Sequence, residues 1–189
     1  MIKTTYIFMM IIFVFFTACS NNKNEAEEKK TVNTTKENSI PKNNKQNITL
    51  QDTDGNIIEI KKTKKGFIVS GIEKKIVILD FFATWCPPCK AEIPHLNNLQ
   101  EKYKDNLVII GILLEQNKDN DEIKNFINYH SINYTITNSE GNFQLAKEVG
   151  GVQSIPFMIM YDKNGDYVTH YMGAIPEEMI EADIQRVLK

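Results

Sequence analysis

The chain has 189 residues, 22 Lys and Arg against 24 Asp and Glu, and a formal net charge of −2 at pH 7. This length accommodates one ordinary domain with additional segments, and the near balance of charge argues against a nucleic-acid-binding protein. Residues 20–47 hold six Lys and four Glu, whereas residues 48–189 hold 15 Lys or Arg and 20 Asp or Glu. The larger part of the chain is therefore mildly acidic.

The N-terminus reads as a targeting segment. Lys3 precedes an apolar run, and the 13 residues Tyr6–Ala18 are too few to span about 30 Å of hydrocarbon. We therefore predict a signal peptide over residues 1–18. Its end, Phe16-Thr17-Ala18-Cys19, resembles a bacterial lipobox, which implies cleavage before Cys19 and lipidation of that cysteine. An ordinary secretory signal or an uncleaved anchor is the alternative.

Residues 20–47 consist almost entirely of Asn, Lys, Glu, Thr and Ser, with Ala26, Val32 and Ile40 as apolar exceptions. Such a segment cannot bury enough surface to offset its ordering entropy. We predict that residues 19–47 comprise the lipidated Cys19 and a disordered tether, and that residues 48–189 form the folded domain.

Hydrophobic periodicity and turn signals divide residues 48–189 into strands and helices. Strands are predicted at 48–60, as a hairpin turning at Asp54-Gly55, and at 66–70, 76–82, 107–114 and 134–137, with a closing hairpin of 157–161 and 167–171. Helices are predicted from Cys86 to Tyr103 and at 119–130, 143–149 and 176–188. This order predicts an α/β fold with a mixed central sheet and helices on both faces.

Two cysteines follow the most apolar predicted strand. Pro87 and Pro88 suit the first turn of a helix, where their missing N–H groups would be unpaired anyway. Cys86 is therefore predicted to lie exposed at the helix N-terminus, with Cys89 one turn further in. The backbone N–H groups and the positive end of the helix dipole favour a thiolate there.

A Cys-x-x-Cys pair has three main uses: half of a zinc site, a structural disulfide, or a redox dithiol. A closed zinc site needs four ligands, and His95, His130 and His170 are scattered and predicted to be structural or surface residues, so no metal site is predicted. A disulfide across two residues removes little chain entropy. The redox dithiol is favoured, with the other two left open.

The residues around this pair resemble the active site of the thioredoxin fold. In the run Trp85-Cys86-Pro87-Pro88-Cys89, Asp80 lies six residues before Cys86 and Pro94 lies five residues after Cys89. Ser154-Ile155-Pro156 resembles the cis-proline loop. The hairpin at 48–60, a strand-helix insertion at 107–137 and the lipobox make the chain similar to the TlpA/ResA-like branch of extracytoplasmic thiol-disulfide oxidoreductases.

This resemblance implies roles for four residues. Cys86 is the attacking thiolate and Cys89 the resolving thiol, so that the redox-active disulfide serves in place of any other cofactor. Asp80 accepts the proton of Cys89, the alternative being a core residue with satisfied hydrogen bonds. Glu92 matches an acidic position of the ResA-like group, the alternative being a solvated helix residue.

Five further residues are expected to contact substrate. Trp85 shields the dithiol or is merely a core residue, and Pro156, if cis, exposes the Ile155 backbone for pairing with a bound polypeptide. Pro87 and Pro88 remove two N–H donors, which leaves chiefly the Cys89 N–H and the helix dipole to stabilise the Cys86 thiolate. We hypothesise that the thiolate is only moderately stabilised and the dithiol donates electrons.

The resemblance thus implies a lipid-anchored reductase in the bacterial cell envelope, facing the periplasm or the exterior. Its expected partners are exported proteins with disulfides, apocytochrome c among them, and a membrane thiol-transfer protein that supplies electrons. The alternatives are a disulfide oxidase or isomerase and, from another class, a non-catalytic binding lipoprotein. A peroxidase is disfavoured because Ala83 stands where that chemistry has a Thr.

Overall fold

A computed structural model describes residues 47–189, so the predicted signal peptide, Cys19 and nearly all of the tether lie outside the described residues. The strands are β1 (Asn47–Gln51), β2 (Ile57–Lys62), β3 (Phe67–Val69), β4 (Ile76–Phe82), β5 (Leu107–Leu113), β6 (Thr135–Thr137), β7 (Phe157–Tyr161) and β8 (Tyr167–Met172). The helices are α1 (Pro87–Lys102), α2 (Asn120–His130), α3 (Glu140–Glu148) and α4 (Glu177–Leu188). Within these residues no helix is long and apolar enough to cross a membrane.

A five-stranded mixed sheet, ordered β6-β5-β4-β7-β8, forms the centre of the domain. Its middle strand β4 runs parallel to β5 and antiparallel to β7. All seven residues of β4 are buried, which confirms the prediction from its apolar run, because a strand covered on both faces has no solvent side on which polar residues are favoured. The strand and helix predicted as an insertion are β5 and α2.

The two faces of this sheet are covered differently. Ile76, Ile78 and Phe82 pack with apolar residues of α1, α2 and α4 on one face. Val77, Leu79 and Phe81 pack on the other face with α3 and with a three-stranded antiparallel sheet, β1-β2-β3. The predicted α/β fold is therefore confirmed, and the predicted N-terminal hairpin gains a third strand, β3, and helps to cover the second face.

Tertiary contacts shift two predicted boundaries. The strand β1 begins at Asn47, which pairs with Lys61, one residue before the predicted start of the domain. The helix α3 begins at Glu140, three residues before its predicted start. The buried Asn142 side chain donates hydrogen bonds to the carbonyl oxygens of Leu113 (2.9 Å) and Thr137 (2.8 Å), fixing the first turn of α3 to the ends of β5 and β6.

Candidate active site

The Cys86–Cys89 disulfide closes the first turn of α1. Its S–S distance is 2.10 Å and the two Cα atoms are 5.3 Å apart. Cys86 is the N-cap residue, and its Sγ accepts a hydrogen bond from the Cys89 N–H at 3.3 Å. Pro87 and Pro88 occupy the first two helical positions, where neither has an N–H to donate. The predicted position of Cys86 at the helix N-terminus is confirmed.

The predicted exposure of Cys86 is wrong, because the residue is only 2% exposed. Its side chain belongs to the buried cluster that contains Cys89 and Ala83, and Ile155 packs against that cluster. A position at a helix tip fixes where the backbone lies but does not determine what covers the side chain. Its neighbours along the chain, Trp85 and Pro87, are exposed.

The exposed rim of the site consists of Trp85, Pro87 and Pro88. Trp85 is 66% exposed, so the core alternative for this residue is wrong. The backbone N–H of Thr84 donates a 2.5 Å hydrogen bond to Oε1 of Glu115. Glu115 thereby holds the turn that carries Trp85, a role that the sequence did not indicate because the carboxylate follows β5 and is distant along the chain.

The Ile155–Pro156 peptide bond is cis. Pro156 is buried and half-buried Ile155 packs against the cluster that contains both cysteines. The Pro156 carbonyl accepts a hydrogen bond from the Gly173 N–H. Within residues 47–189, the N–H and C=O of Ile155 make no backbone hydrogen bond, so this peptide group can pair with a bound strand. Its contact with a substrate stays a prediction.

Asp80 lies on the face of β4 that is turned towards α1, since it alternates with Ile78 and Phe82. The residue is 3% exposed, and its Oδ1 has no hydrogen-bond partner among the described residues. The alternative of a satisfied core residue is therefore wrong. Burial raises the pKa of Asp80 to about 7, because burial removes the carboxylate from the water that stabilises its charge.

Glu92 is also buried, at 1% exposure, so the alternative of a solvated helix residue is wrong. Neither of its carboxyl oxygens has a partner within residues 47–189. Burial, and second the charge of Asp80, raise the pKa of Glu92 to about 9. Two carboxyl groups that are buried together, and whose charges would repel each other, hold protons at neutral pH more strongly than exposed carboxyl groups do.

Tyr134 completes this group. Nothing in the sequence singled it out, because it is simply an aromatic residue at the start of a predicted short strand. It is 8% exposed. Burial and the charges of Asp80 and Glu92 raise the pKa of its phenol. Tyr134 therefore remains a neutral phenol beside the two carboxyl groups.

The structure thus brings Cys86, Cys89, Asp80 and Glu92 to one end of the central sheet, beside the loop of Ile155 and Pro156. Among residues 47–189, no group of three or more His, Cys, Asp or Glu side chains is arranged to hold a metal ion. The arrangement provides two sulfur atoms that can form or break a bond and two buried groups that can take or give a proton.

Comparison with known proteins gives relatives with this chemistry. The model of the AhpC/TSA family matches residues 41–182. Thiol-disulfide oxidoreductase ResA of Bacillus thuringiensis is 31% identical over 143 residues, which cover 75% of each chain.

Solved structures share the fold. A thiol:disulfide interchange protein of the thioredoxin family from Chlorobium tepidum superposes with a TM-score of 0.59 and 22% identity, covering 76% of this chain and 94% of that one. The exposed lipoprotein thioredoxin Etrx1 of Streptococcus pneumoniae gives a TM-score of 0.58 and 22% identity, covering 74% and 98%.

Proposed function

Because the chain belongs to the AhpC/TSA family and its TlpA/ResA-like branch of thiol-disulfide oxidoreductases, we propose that it reduces disulfide bonds of exported proteins outside the cytoplasm. The observation that carries this proposal is the Cys86–Cys89 disulfide at the tip of α1, with buried carboxyl groups of Glu92 on the same helix and Asp80 on β4, three of whose four oxygens have no hydrogen-bond partner among the described residues. A structural crosslink has no need of such groups, whereas thiol chemistry requires a proton acceptor.

In the reduced protein, Cys86 attacks a client disulfide as a thiolate. One client sulfur bonds to the Cys86 Sγ, and the other leaves as a thiolate that takes a proton. Cys89 then loses its proton and attacks the Cys86 Sγ, which releases the second client sulfur and restores the Cys86–Cys89 disulfide. Two electrons pass from the dithiol to the client.

Asp80 and Glu92 serve the second attack. Cys89 is 2% exposed, so its proton must go to a neighbouring group rather than directly to bulk water. A carboxylate whose pKa is raised towards that of a thiol is a better proton acceptor than an ordinary exposed carboxylate. Of the two carboxyl groups, Asp80 has the pKa closer to neutral pH, at about 7 compared with about 9 for Glu92. Asp80 is therefore the better proton acceptor near pH 7.

The client is held at the cis-proline loop. The free peptide group of Ile155 pairs with an extended client segment, and exposed Trp85, Pro87 and Pro88 form the opposite rim. Because Cys86 is buried in the disulfide form, re-reduction by an electron donor includes displacement of the side chains that cover its sulfur.

The N-terminal sequence and the extracytoplasmic relatives support a further part of the proposal, the cellular setting. Cys19 carries a lipid anchor, and residues 20–47 tether the domain near the membrane, where a membrane thiol-transfer protein re-reduces the disulfide. Apocytochrome c is one client class, because its own Cys pair must be reduced before haem attachment. No cofactor beyond the Cys86–Cys89 disulfide is required.

Insulin reduction tests this function. Under dithiothreitol, the wild-type chain should accelerate insulin precipitation, and Cys86→Ser should abolish the acceleration because no attacking thiolate remains. A wild type no faster than dithiothreitol alone would indicate the non-catalytic binding protein. A wild type that instead oxidises reduced, unfolded ribonuclease faster than it reduces insulin would indicate the oxidase.

A further inference from the structure

A groove of about 530 Å³ lies on the sheet face that is turned away from α1. Strands β7 and β8 form its floor, and its walls are the turn between β2 and β3 and the loop after α3. Because a strand rises about 3.3 Å per residue, the floor is about 13 Å long. It consists of three pairs of residues that lie opposite each other on the two strands, namely Phe157 with Met172, Ile159 with His170, and Tyr161 with Tyr167.

One end of the groove adjoins the loop that is proposed to hold the client. Ser154 lines the groove and directly precedes Ile155, whose N–H and C=O make no backbone hydrogen bond within residues 47–189. On the other side of the cis peptide bond, Phe157 begins the floor. A client strand that pairs with Ile155 can therefore continue directly into the groove.

The floor of the groove leaves apolar surface uncovered. Met172 is 66% exposed and Tyr167 is 50% exposed, and Phe157 is half-buried. The His170 ring lies between the aromatic rings of the floor, with its centroid 5.6 Å from that of Phe157 and 6.2 Å from that of Tyr167. Exposed apolar side chains that lie together in a groove mark a site of interaction, so the floor favours apolar or aromatic side chains of a client.

The opposite end of the groove is positively charged. The Tyr167 N–H donates a hydrogen bond to the Lys65 carbonyl at 3.0 Å, so the turn between β2 and β3 lies against the last pair of the floor. Exposed Lys62 and Lys64 line the groove there. Lys62 lies 2.7 Å from Glu148, whereas Lys64 has no ion-pair partner within residues 47–189. Among the described residues that line the groove, Glu148 alone is acidic, so lysine charge is in excess.

We propose that this groove selects clients by the segment beside their disulfide, an inference that rests on the proposed reductase function. The favoured segment is extended, with apolar or aromatic side chains within about four residues of the cysteine and acidic side chains about five or six residues from it. The apolar side chains pack on β7 and β8, and the acidic ones meet Lys62 and Lys64. None of these groove residues touches the reacting sulfur atoms, so they determine specificity and are not catalytic.

Oxidation of the reduced full chain by peptide disulfides tests the groove, with the fluorescence of Trp85, the one tryptophan in the sequence, as the signal. The probe is the disulfide-linked dimer of Glu-Glu-Leu-Ala-Phe-Ala-Cys-Ala-Phe-Ala-Leu-Glu-Glu, whose two flanks are alike so that either chain direction can bind. Wild type should react with it on the order of 10-fold faster than with probes in which Lys replaces Glu, or Ser replaces Phe and Leu. Each rate is divided by that of the same probe with dithiothreitol, which removes differences in disulfide reactivity.

Two variants of exposed groove residues locate the preference. Lys64→Glu and Met172→Ala should each slow the reaction with the acidic probe on the order of 5-fold, because one reverses a charge and the other removes apolar contact. Both should react with glutathione disulfide at the wild-type rate, since that molecule is too short to span the floor. Lys163→Glu and Met179→Ala are the matched controls, because these residues are exposed but lie outside the groove lining, and both should behave as wild type.

The outcomes separate the groove from the reductase function. Equal normalised rates with the acidic, basic and Ser-containing probes would overturn the groove. Wild-type rates in both Lys64→Glu and Met172→Ala would do so too, as would a Lys163→Glu variant slowed as much as Lys64→Glu. A wild type that reacts neither with the peptide probes nor with glutathione disulfide would instead overturn the reductase function.

Discussion

At the residue scale, two prolines limit how far the helix backbone stabilises the Cys86 sulfur. An N-cap side chain accepts hydrogen bonds from the N–H groups of the second and third helical residues. The second is Pro88, which has no N–H, and the third is Cys89, whose N–H reaches the Cys86 Sγ at 3.3 Å. The Cys86 thiolate therefore keeps one of two possible backbone donors.

Restoring the second donor should make the thiolate more stable. Pro88→Ala should lower the pKa of the Cys86 thiol by about 1–2 units, since a hydrogen bond to a charged group contributes about 1.5–3 kcal/mol and one pKa unit corresponds to about 1.36 kcal/mol. The reduction potential of the disulfide should become less negative, because the reduced form is stabilised. Thiolate absorbance against pH measures the first effect, and equilibrium with glutathione measures the second.

Pro87→Ala is the matched control, because the N–H that it restores is at the first helical position and does not point at the cap side chain. It should change the pKa of Cys86 much less than Pro88→Ala. Equal changes in the two variants, or a wild-type Cys86 whose pKa is already depressed by several units, would contradict this account of the two prolines.

At the scale of elements, residues close along the chain were predictable and distant contacts were not. The apolar run of β4 and the prolines that open α1 are local signals, and they predicted where Cys86 sits in the backbone. The burial of Glu92 also had a local signal, because it lies three residues after Cys89 and four before Leu96 on the buried face of α1. Because the side chain is acidic, the sequence favoured an exposed position for Glu92 as the alternative.

Other features depend on packing between elements. The burial of Cys86 results from the core cluster against which Ile155 packs, 69 positions further along the chain. The start of α3 depends on Asn142 bonds to two strand ends and on Gly141, where any side chain would collide with the Thr49 carbonyl of β1. None of these contacts leaves a pattern in the neighbouring sequence.

At the scale of the whole molecule, Asp80 and Glu92 should make the fold less stable as pH rises. Their pKa values are raised on folding, from 3.8 to about 7 and from 4.5 to about 9. Below about pH 4 both are protonated in the folded and unfolded states. Above that pH the unfolded state binds fewer protons than the folded one, so the free energy of unfolding falls until the folded groups also ionise, near pH 7 to 9.

Urea unfolding of the disulfide form between pH 4 and 9 measures this dependence. The double variant Asp80→Asn, Glu92→Gln should lose the decline and exceed wild type at pH 9 by on the order of a few kcal/mol. Three other carboxylates have lowered pKa values and make the free energy of unfolding rise with pH at acid pH, namely Asp52, Glu181 and Asp183. They contribute equally to wild type and to the double variant, so they cancel in the comparison. The control Glu101→Gln removes an exposed carboxylate and should show the same pH dependence of the free energy of unfolding as wild type. If the double variant also shows the wild-type dependence, Asp80 and Glu92 are not buried, protonated carboxyl groups.

The central claim is that Cys86 attacks client disulfides and Cys89 resolves the product. Cys89→Ala should accumulate a mixed disulfide with insulin, and peptide mass spectrometry should locate the bond at Cys86, because the resolving thiol is absent. The converse variant Cys86→Ala should accumulate none. A mixed disulfide at Cys89 in Cys86→Ala, or none at Cys86 in Cys89→Ala, would contradict the assignment and the reductase mechanism built on it.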